Sequence, residues 1–171
     1  RTQVQPPACA APFASLMFDQ RGFVRACAVN HTHLLGSMVH ERLPDIWRGP
    51  QAASLRKALR AHDYSLGSGG CRWHVAEMGP QAAYARAFDH LAASRLERDW
   101  PAQMEFALGN TCNLACIMCN GEQSSAIRAR REGLPPLTDP YGDRFYEDLA
   151  TFLPHLERAR FLGGEPFLVR A

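Results

Sequence analysis

The hydrophobic pattern predicts one organised part at the start of the chain. Residues 13–30 carry apolar runs on both sides of a polar turn at 19–22, which is typical of a β-hairpin. Two short helices are predicted next: 41–49 has Pro44 near its first turn and Gly49 after its last, and 50–62 has apolar positions at helical spacing. The glycine-rich segment 65–71 is predicted to be a loop that closes this part.

A second organised part is predicted after a connecting segment at 80–98, which is expected to be a helix or a helix with a linker. The pattern predicts a strand at 102–110, helices at 122–133 and 143–156, and a second strand at 158–169. This order is a βα crossover unit, and ligands in such folds collect at the C-terminal ends of the strands. Two segments follow those ends directly, a cysteine-rich loop and a glycine turn, and we expect them to face one site.

Composition narrows the possible partners. The chain has 171 residues and a net charge of +2, which gives no argument for a nucleic-acid or anionic-membrane partner. The basic run at 127–132 is interpreted as the solvated face of a helix, and Trp47 and Trp73 as core anchors. No apolar run approaches a membrane span and no secretory signal opens the chain. Cysteines at metal-type spacing without that signal favour a cytoplasmic location.

Three of the six cysteines lie within one short stretch, "CNLACIMC". Cys112, Cys116 and Cys119 are separated by three residues and then by two, and no second close pair follows to complete a structural zinc site. Three thiols also leave one unpaired if disulfides form. A cubane iron–sulfur cluster has four irons, so three cysteines would bind three irons and leave the fourth open to a small molecule.

The C-x3-C-x2-C spacing, together with "GGEP" at 163–166, resembles the radical S-adenosylmethionine (radical SAM) superfamily. The resemblance implies that Cys112, Cys116 and Cys119 hold a [4Fe–4S] cluster whose open iron binds S-adenosylmethionine. Reductive cleavage of this cofactor would give a 5′-deoxyadenosyl radical that abstracts a substrate hydrogen, with an electron donor such as flavodoxin or ferredoxin. The methionyl ammonium would be cradled by four residues of the glycine turn: Gly163, Gly164, Glu165 and Pro166.

The other three cysteines lie in the first part of the chain. Cys9, Gly22 and Cys27 form a C-x12-G-x4-C arrangement on the predicted hairpin, and Cys71 follows in "LGSGGCRW". This arrangement is similar to the SPASM/twitch module, which implies an auxiliary iron–sulfur cluster bound by Cys9, Cys27 and Cys71. The module normally supplies a C-x2-C pair, but Ser68 stands at the first position of that pair here. The fourth ligand is therefore left open between Ser68, His74 and an external group.

The resemblance gives an α/β fold class with two domains. Residues 1–79 would be a small α+β SPASM/twitch-like domain, residues 80–101 a linker helix, and residues 102–171 the start of a radical SAM partial (βα) barrel. Such a barrel uses more βα units than two readable strands supply, so the remainder is expected outside this chain. The substrate class is left open between a peptide and a small molecule such as an alcohol.

Two other functions remain open from the sequence. The first is a non-catalytic module that binds zinc or an iron–sulfur cluster. The second is a degenerate radical SAM protein that is retained for partner binding. Cleavage of S-adenosylmethionine by anaerobically reconstituted protein would distinguish the enzyme from both alternatives.

Overall fold

The fold is a mixed α/β arrangement built on one five-stranded sheet. The computed structural model describes residues 7–67, 69–82, 84–92 and 98–168. The strands are β1 (Ser15–Phe18), β2 (Phe23–Arg25), β3 (Gly36–Ser37), β4 (Gln103–Phe106) and β5 (Arg158–Phe161). The α-helices are α1 (Ala11–Ala14), α2 (Leu43–Arg48), α3 (Pro50–Arg60), α4 (Gly69–Met78), α5 (Asp89–Ala92), α6 (Ser125–Arg130) and α7 (Asp143–Phe152).

The sheet joins the two parts that the hydrophobic pattern separates. Its strand order is β3-β2-β1-β4-β5. The predicted hairpin is confirmed as the antiparallel pair of β1 and β2, and the two predicted later strands are confirmed as β4 and β5. β1 also pairs in parallel with β4, and β4 pairs in parallel with β5. The hairpin therefore extends the sheet of the βα unit.

The two faces of the sheet differ in polarity. One face carries stacked aromatic rings, with Phe18 and Phe106 at 5.5 Å between centroids and Phe145 of α7 at 5.3 Å from Phe18. The opposite face buries Glu105, which accepts hydrogen bonds from Gln103 at 2.9 Å and from Arg160 at 2.8 Å. Burial of this carboxylate is tolerated because a charged donor, Arg160, and the amide of Gln103 both bind it. The apolar face thus packs on α7, and the other face is polar.

Helices α2 and α3 pack into the same core as the hairpin. Trp47 is confirmed as a core anchor, because it is 1% exposed and its indole N–H donates to the carbonyl of Asp99 at 2.9 Å. The guanidinium of Arg56 lies 4.2 Å from the Trp47 ring centroid, a cation–π contact that covers the ring. The prediction that Trp73 anchors the core is wrong, because 56% of this side chain is exposed.

Three local predictions differ from the structure. The glycine-rich segment is not a loop to its end, because Gly69, Gly70 and Cys71 form the first turn of α4. A glycine in a helix costs only about 1 kcal/mol relative to alanine, so the remaining residues of α4 can offset it. The segment from 80 to 92 is not one helix in its described residues: it contains 3₁₀ turns at Pro80–Ala82 and Tyr84–Phe88 before α5. The second of these turns buries Ala85 and Phe88, which are three residues apart and lie on one side of a 3₁₀ turn.

The third difference concerns the basic run at 127–132, which is not wholly solvated. Ile127 and Arg128 are buried. Arg128 donates through Nη1 to Glu122 at 3.0 Å and through Nε to the carbonyl of Pro135. This arginine therefore fixes a loop instead of facing water. In the described part of the chain, no helix is long and apolar enough to cross a membrane.

A buried carboxylate connects α2 to α7, and its removal is expected to destabilise the fold. Asp148 accepts hydrogen bonds from Nε of Arg42 and from the amide of Leu43 at the start of α2, each at 2.9 Å. Burial acts to raise the pKa of Asp148, but these hydrogen bonds outweigh it and hold the pKa below its ordinary value. The stabilisation is therefore present above the unfolded-state pKa and is lost as the pH falls through the folded-state pKa.

We expect Asp148→Asn to lower the free energy of unfolding by about 2 kcal/mol at pH 7, as hydrogen bonds to a charged group contribute. The difference from the wild-type protein should shrink as the pH approaches 3. Urea unfolding at both pH values measures this. Glu147→Gln, at an exposed position of the same helix, is the control. Equal destabilisation by Asp148→Asn at both pH values would contradict the role of the charge.

Candidate metal centres

The cysteine-rich loop and the glycine turn leave the sheet at the same edge. Phe106 ends β4 and Phe161 ends β5, and the two residues are register partners in the parallel pair. The loop that follows β4 carries Cys112, Cys116 and Cys119, and the turn that follows β5 carries the glycine pair. The strand register therefore places both segments at the C-terminal edge of the sheet, as expected.

The two segments also contact each other through backbone hydrogen bonds. The amide of Gly164 donates to the carbonyl of Gln123 at 3.0 Å, and the amide of Glu165 donates to the carbonyl of Thr111 at 2.8 Å. Thr111 directly precedes Cys112, so the second bond anchors the glycine turn at the base of the cysteine loop. Pro166 begins a short 3₁₀ turn, Pro166–Leu168, after this contact.

This contact requires both glycines. Gly163 and Gly164 have φ values of +75° and +60°, in the left-handed region that favours glycine. A Cβ on Gly164 would lie 2.4 Å from the carbonyl oxygen of Thr111, and a Cβ on Gly163 would lie 2.9 Å from that of Gly109. The backbone of the turn therefore approaches the cysteine loop more closely than any side chain allows.

Polar side chains hold the base of the cysteine loop. Ser124 caps α6 by accepting from the amide of Ile127 at 3.3 Å, and its hydroxyl donates to the carbonyl of Leu114 at 2.7 Å. Ser125 accepts from the amide of Cys112 at 3.0 Å. Asn120 accepts from the amides of the next turn, so its role here is to cap that turn. The loop is thus fixed at both ends against the start of α6.

The tip of the loop is open. Cys116 is exposed, Cys112 and Cys119 are half-buried, and Ile117 and Met118 between the second and third cysteines are 92% and 86% exposed. The amide of Leu114 donates to Sγ of Cys112 at 3.4 Å, which fixes the position of this thiol in the loop. The donor set and the open tip fit a cluster that must meet a second molecule.

A second group of thiols comes together from distant segments. Cys9, Cys27 and Cys71 line one pocket, a cavity of about 30 Å³ that is partly open to solvent. The rest of the wall is mostly apolar: Ala11, Pro12, Ala26, Leu55, Leu59 and Ala85, with Asn30, Tyr64 and Gly67. The structure therefore brings the three residues of the predicted auxiliary site together.

Burial controls the protonation of this second group. It raises the pKa of Cys9 to about 12 and that of Cys27 to about 11, and the neighbouring thiols add to both shifts. The amides of Val29 and Asn30 act in the opposite direction on Cys27. Without a cation Cys9 and Cys27 stay protonated at neutral pH, and binding of a metal or a cluster would release their protons.

The fourth ligand of the auxiliary site remains open. Ser68 lies outside the described residues. His74 follows Cys71 by three residues on α4, so both side chains lie on adjacent positions of one helix face. Its Nδ1 is buried and has no hydrogen-bond partner among the described residues, although His74 is absent from the wall of the cysteine pocket. His74 therefore stays a candidate ligand.

The arrangement gives no support to a site for a single metal ion. In the described ranges, no group of three or more His, Cys, Asp or Glu side chains is arranged to hold one ion. The ligands of zinc all lie about 2 Å from one centre, whereas each thiolate of a four-iron cluster binds a different iron. Cysteines that bind such a cluster are therefore spaced more widely than zinc ligands.

Sequence reasoning missed the polar contacts that join the hairpin turn to the cysteine loop. Gln20 donates to the side chain of Gln123 at 2.9 Å, and Arg21 forms two hydrogen bonds with Glu122 at 2.9 and 2.7 Å. The partners are about a hundred residues apart, and local periodicity carries no signal for such a contact. Only the parallel pairing of β1 with β4 brings them together.

One comparison with known proteins found a match. Residues 9–72 match the family model of SPASM, an iron–sulfur cluster-binding domain, which occurs in radical SAM enzymes. The matched range contains Cys9, Cys27 and Cys71, and so includes the cysteines of the apolar pocket. It covers less than half of the chain and ends before Cys112. No curated protein and no solved structure matches the chain.

Proposed function

We propose that the chain belongs to a radical SAM enzyme and binds two iron–sulfur clusters, one of which also binds S-adenosylmethionine. The observation that carries the proposal is the hydrogen-bonded contact between the glycine turn and the cysteine loop. Gly164 and Glu165 bind the backbone on both sides of the three cysteines, at Gln123 and Thr111. A cluster on that loop would thus lie beside a turn in which two successive glycines leave the backbone uncovered.

Each segment has a distinct task in this proposal. Cys112, Cys116 and Cys119 would ligate three irons as thiolates and leave the fourth iron to the amino and carboxylate groups of S-adenosylmethionine. The backbone of the glycine turn would approach the methionyl part of the cofactor. Glu165 would accept a hydrogen bond from its ammonium, because an ionised carboxylate forms a strong, charge-assisted hydrogen bond with such a cation.

The bound cluster and cofactor would supply an electron and a radical that abstracts hydrogen from the substrate. The protein contributes ligation, orientation and the exclusion of water. We propose a peptide or a small molecule such as an alcohol as substrate, and a flavodoxin or a ferredoxin as electron donor. The buried pocket of Cys9, Cys27 and Cys71 would hold the auxiliary cluster, where the apolar wall limits access of water.

A second candidate function is a non-catalytic iron–sulfur protein. The observation that favours it is the position of the family match, which includes the auxiliary cysteines and ends before the cysteine loop. In that case the auxiliary cluster would form, and the loop at Cys112 would either stay empty or hold a cluster that binds no cofactor.

Electron paramagnetic resonance on the full chain distinguishes the two functions. The protein is reconstituted with iron and sulfide without oxygen, reduced with dithionite, and measured with and without S-adenosylmethionine. We expect the cofactor to change the signal of the reduced cluster, because it would bind the open iron directly. Adenosine lacks the chelating amino and carboxylate groups and is the control. A spectrum that S-adenosylmethionine leaves unchanged would contradict the proposal and favour the non-catalytic protein.

A further inference from the structure

The hairpin turn at 19–22 is a rigid element next to the proposed cofactor site. Oδ1 of Asp19 accepts from the amides of Arg21 and Phe23 at 2.9 and 3.0 Å, and the Tyr141 hydroxyl donates to the carbonyl of Asp19. Gly22 has a φ of +82° and packs so closely on Pro140 that a Cβ would lie 2.9 Å from it. Because β1 and β4 are parallel, this turn and the cysteine loop lie at the same edge of the sheet.

Gln20 lies at the junction of three segments. Its side chain is 6% exposed, and its Nε2 donates to Oε1 of Gln123 at 2.9 Å. The carbonyl of Gln123 in turn accepts the amide of Gly164. Nε2 of Gln20 would also lie 2.8 Å from a Cβ on Gly163, so the amide packs directly on the glycine turn. One side chain from the first part of the chain therefore contacts both segments of the proposed site.

The neighbouring ion pair also joins the hairpin turn to the cysteine loop, but it contributes less. Arg21 and Glu122 form a bidentate pair, but their side chains are 53% and 42% exposed. Exposed pairs contribute little, because water screens them and the side chains lose entropy. The Gln20–Gln123 hydrogen bond is part-buried, because Gln20 is enclosed and Gln123 is exposed. Water screens this bond less than it screens the ion pair, so Gln20 is the stronger candidate for holding the two segments together.

We infer that Gln20 is a positioning residue that holds the glycine turn against the cysteine loop and thereby orders the cofactor site. The consequence of this positioning for S-adenosylmethionine binding rests on the proposed function. The positioning itself concerns only contacts within the chain. A turn held in place binds its ligand with a smaller loss of conformational entropy than a turn that must first be ordered. The first part of the chain would thus contribute to the cofactor site as well as to the auxiliary cluster.

Three variants of the full chain test this inference. Gln20→Leu keeps a similar volume and removes the hydrogen bond. Gln20→Glu preserves a bond, because the amide of Gln123 can turn its NH₂ group toward the new carboxylate. Gln51→Ala changes an exposed glutamine of α3 and is the control. Hydrogen exchange measured by mass spectrometry reports the Gly164 and Glu165 amides, iron analysis reports cluster content, and the paramagnetic signal reports the dissociation constant of S-adenosylmethionine.

We expect Gln20→Leu to speed exchange at these two amides and to weaken cofactor binding, each by about tenfold, with iron content unchanged. Gln20→Glu should restore most of both. Exchange in Gln20→Leu equal to that in Gln51→Ala would overturn the inference. If the wild-type protein binds no S-adenosylmethionine, the proposed function fails, and the exchange rates alone still decide whether Gln20 positions the turn.

Discussion

Replacing Cys112, Cys116 and Cys119 together by alanine is expected to abolish S-adenosylmethionine cleavage and to remove the iron of one cluster. The reason is chemical, because the thiolates would be the only protein ligands of that cluster, and alanine offers no donor atom. The fold should survive, since Cys116 is exposed, the other two thiols are half-buried, and the loop is held by hydrogen bonds from Ser124 and Ser125. Iron and sulfide analysis and the yield of 5′-deoxyadenosine measure the effect.

The reciprocal variant, with Cys9, Cys27 and Cys71 replaced by alanine, is the matched control. It has the same number and type of substitutions, and it removes the thiols of the apolar pocket. We expect it to lose the iron of the other cluster and to keep the change in the paramagnetic signal that S-adenosylmethionine causes. Loss of all iron in either variant alone would show that the two cysteine groups do not bind separate clusters.

The elements around the cysteine loop could be predicted because their signals are local. Alternation of Met104 and Phe106 with polar residues predicts β4, and the spacing of Phe145 and Phe152 predicts the buried side of α7. A strand, a helix and a second strand in this order form a parallel pair whose loops share one edge. The proximity of the cysteine loop and the glycine turn follows from that rule, and hydrogen bonds between them bear it out.

The contacts between the two parts could not be predicted, because they depend on pairing between residues far apart in the sequence. The apolar runs that predict β1 and the alternation that predicts β4 indicate where the strands lie, but they do not select neighbours in the sheet. Pairing of β1 with β4 brings Gln20 to Gln123 and makes the hairpin turn part of the candidate site. The sequence alone presents that turn as an ordinary polar connection.

Only the resemblance to a family predicts that the auxiliary cysteines lie close together. Cys9, Cys27 and Cys71 have no short spacing that chemistry would require, and burial in an apolar pocket is common for structural cysteines. Their common pocket appears only when α1, the end of the hairpin and α4 pack together. The prediction that 65–71 is a loop failed at α4 because it treats glycine as a helix breaker, although the cost of a glycine in a helix is only about 1 kcal/mol.

Gly164→Ala is expected to weaken S-adenosylmethionine binding by about 100-fold, because a Cβ would displace the turn from the cysteine loop. The Cβ would lie 2.4 Å from the carbonyl oxygen of Thr111 and 3.0 Å from the carbonyl carbon of Asn110. Both are backbone atoms, so neither can rotate away and the segments must separate. A misplacement of about 1 Å at a site that orients a reactant costs about 100-fold in rate, and we expect a loss of the same order in binding.

The control for this variant is Gly133→Ala, because the two glycines have similar positive φ angles and differ in their surroundings. Gly133 has a φ of +65°, close to the +60° of Gly164, but no atom lies within 4 Å of a Cβ built on it. Both variants therefore carry the cost of alanine in the left-handed region, about 1 kcal/mol, and only Gly164→Ala adds the clash. Thermal unfolding should show a larger loss for Gly164→Ala, and cofactor titration should show weakened binding for that variant alone. Equal cofactor affinity in the two variants would mean that the close approach of the turn to the loop does not shape the binding site.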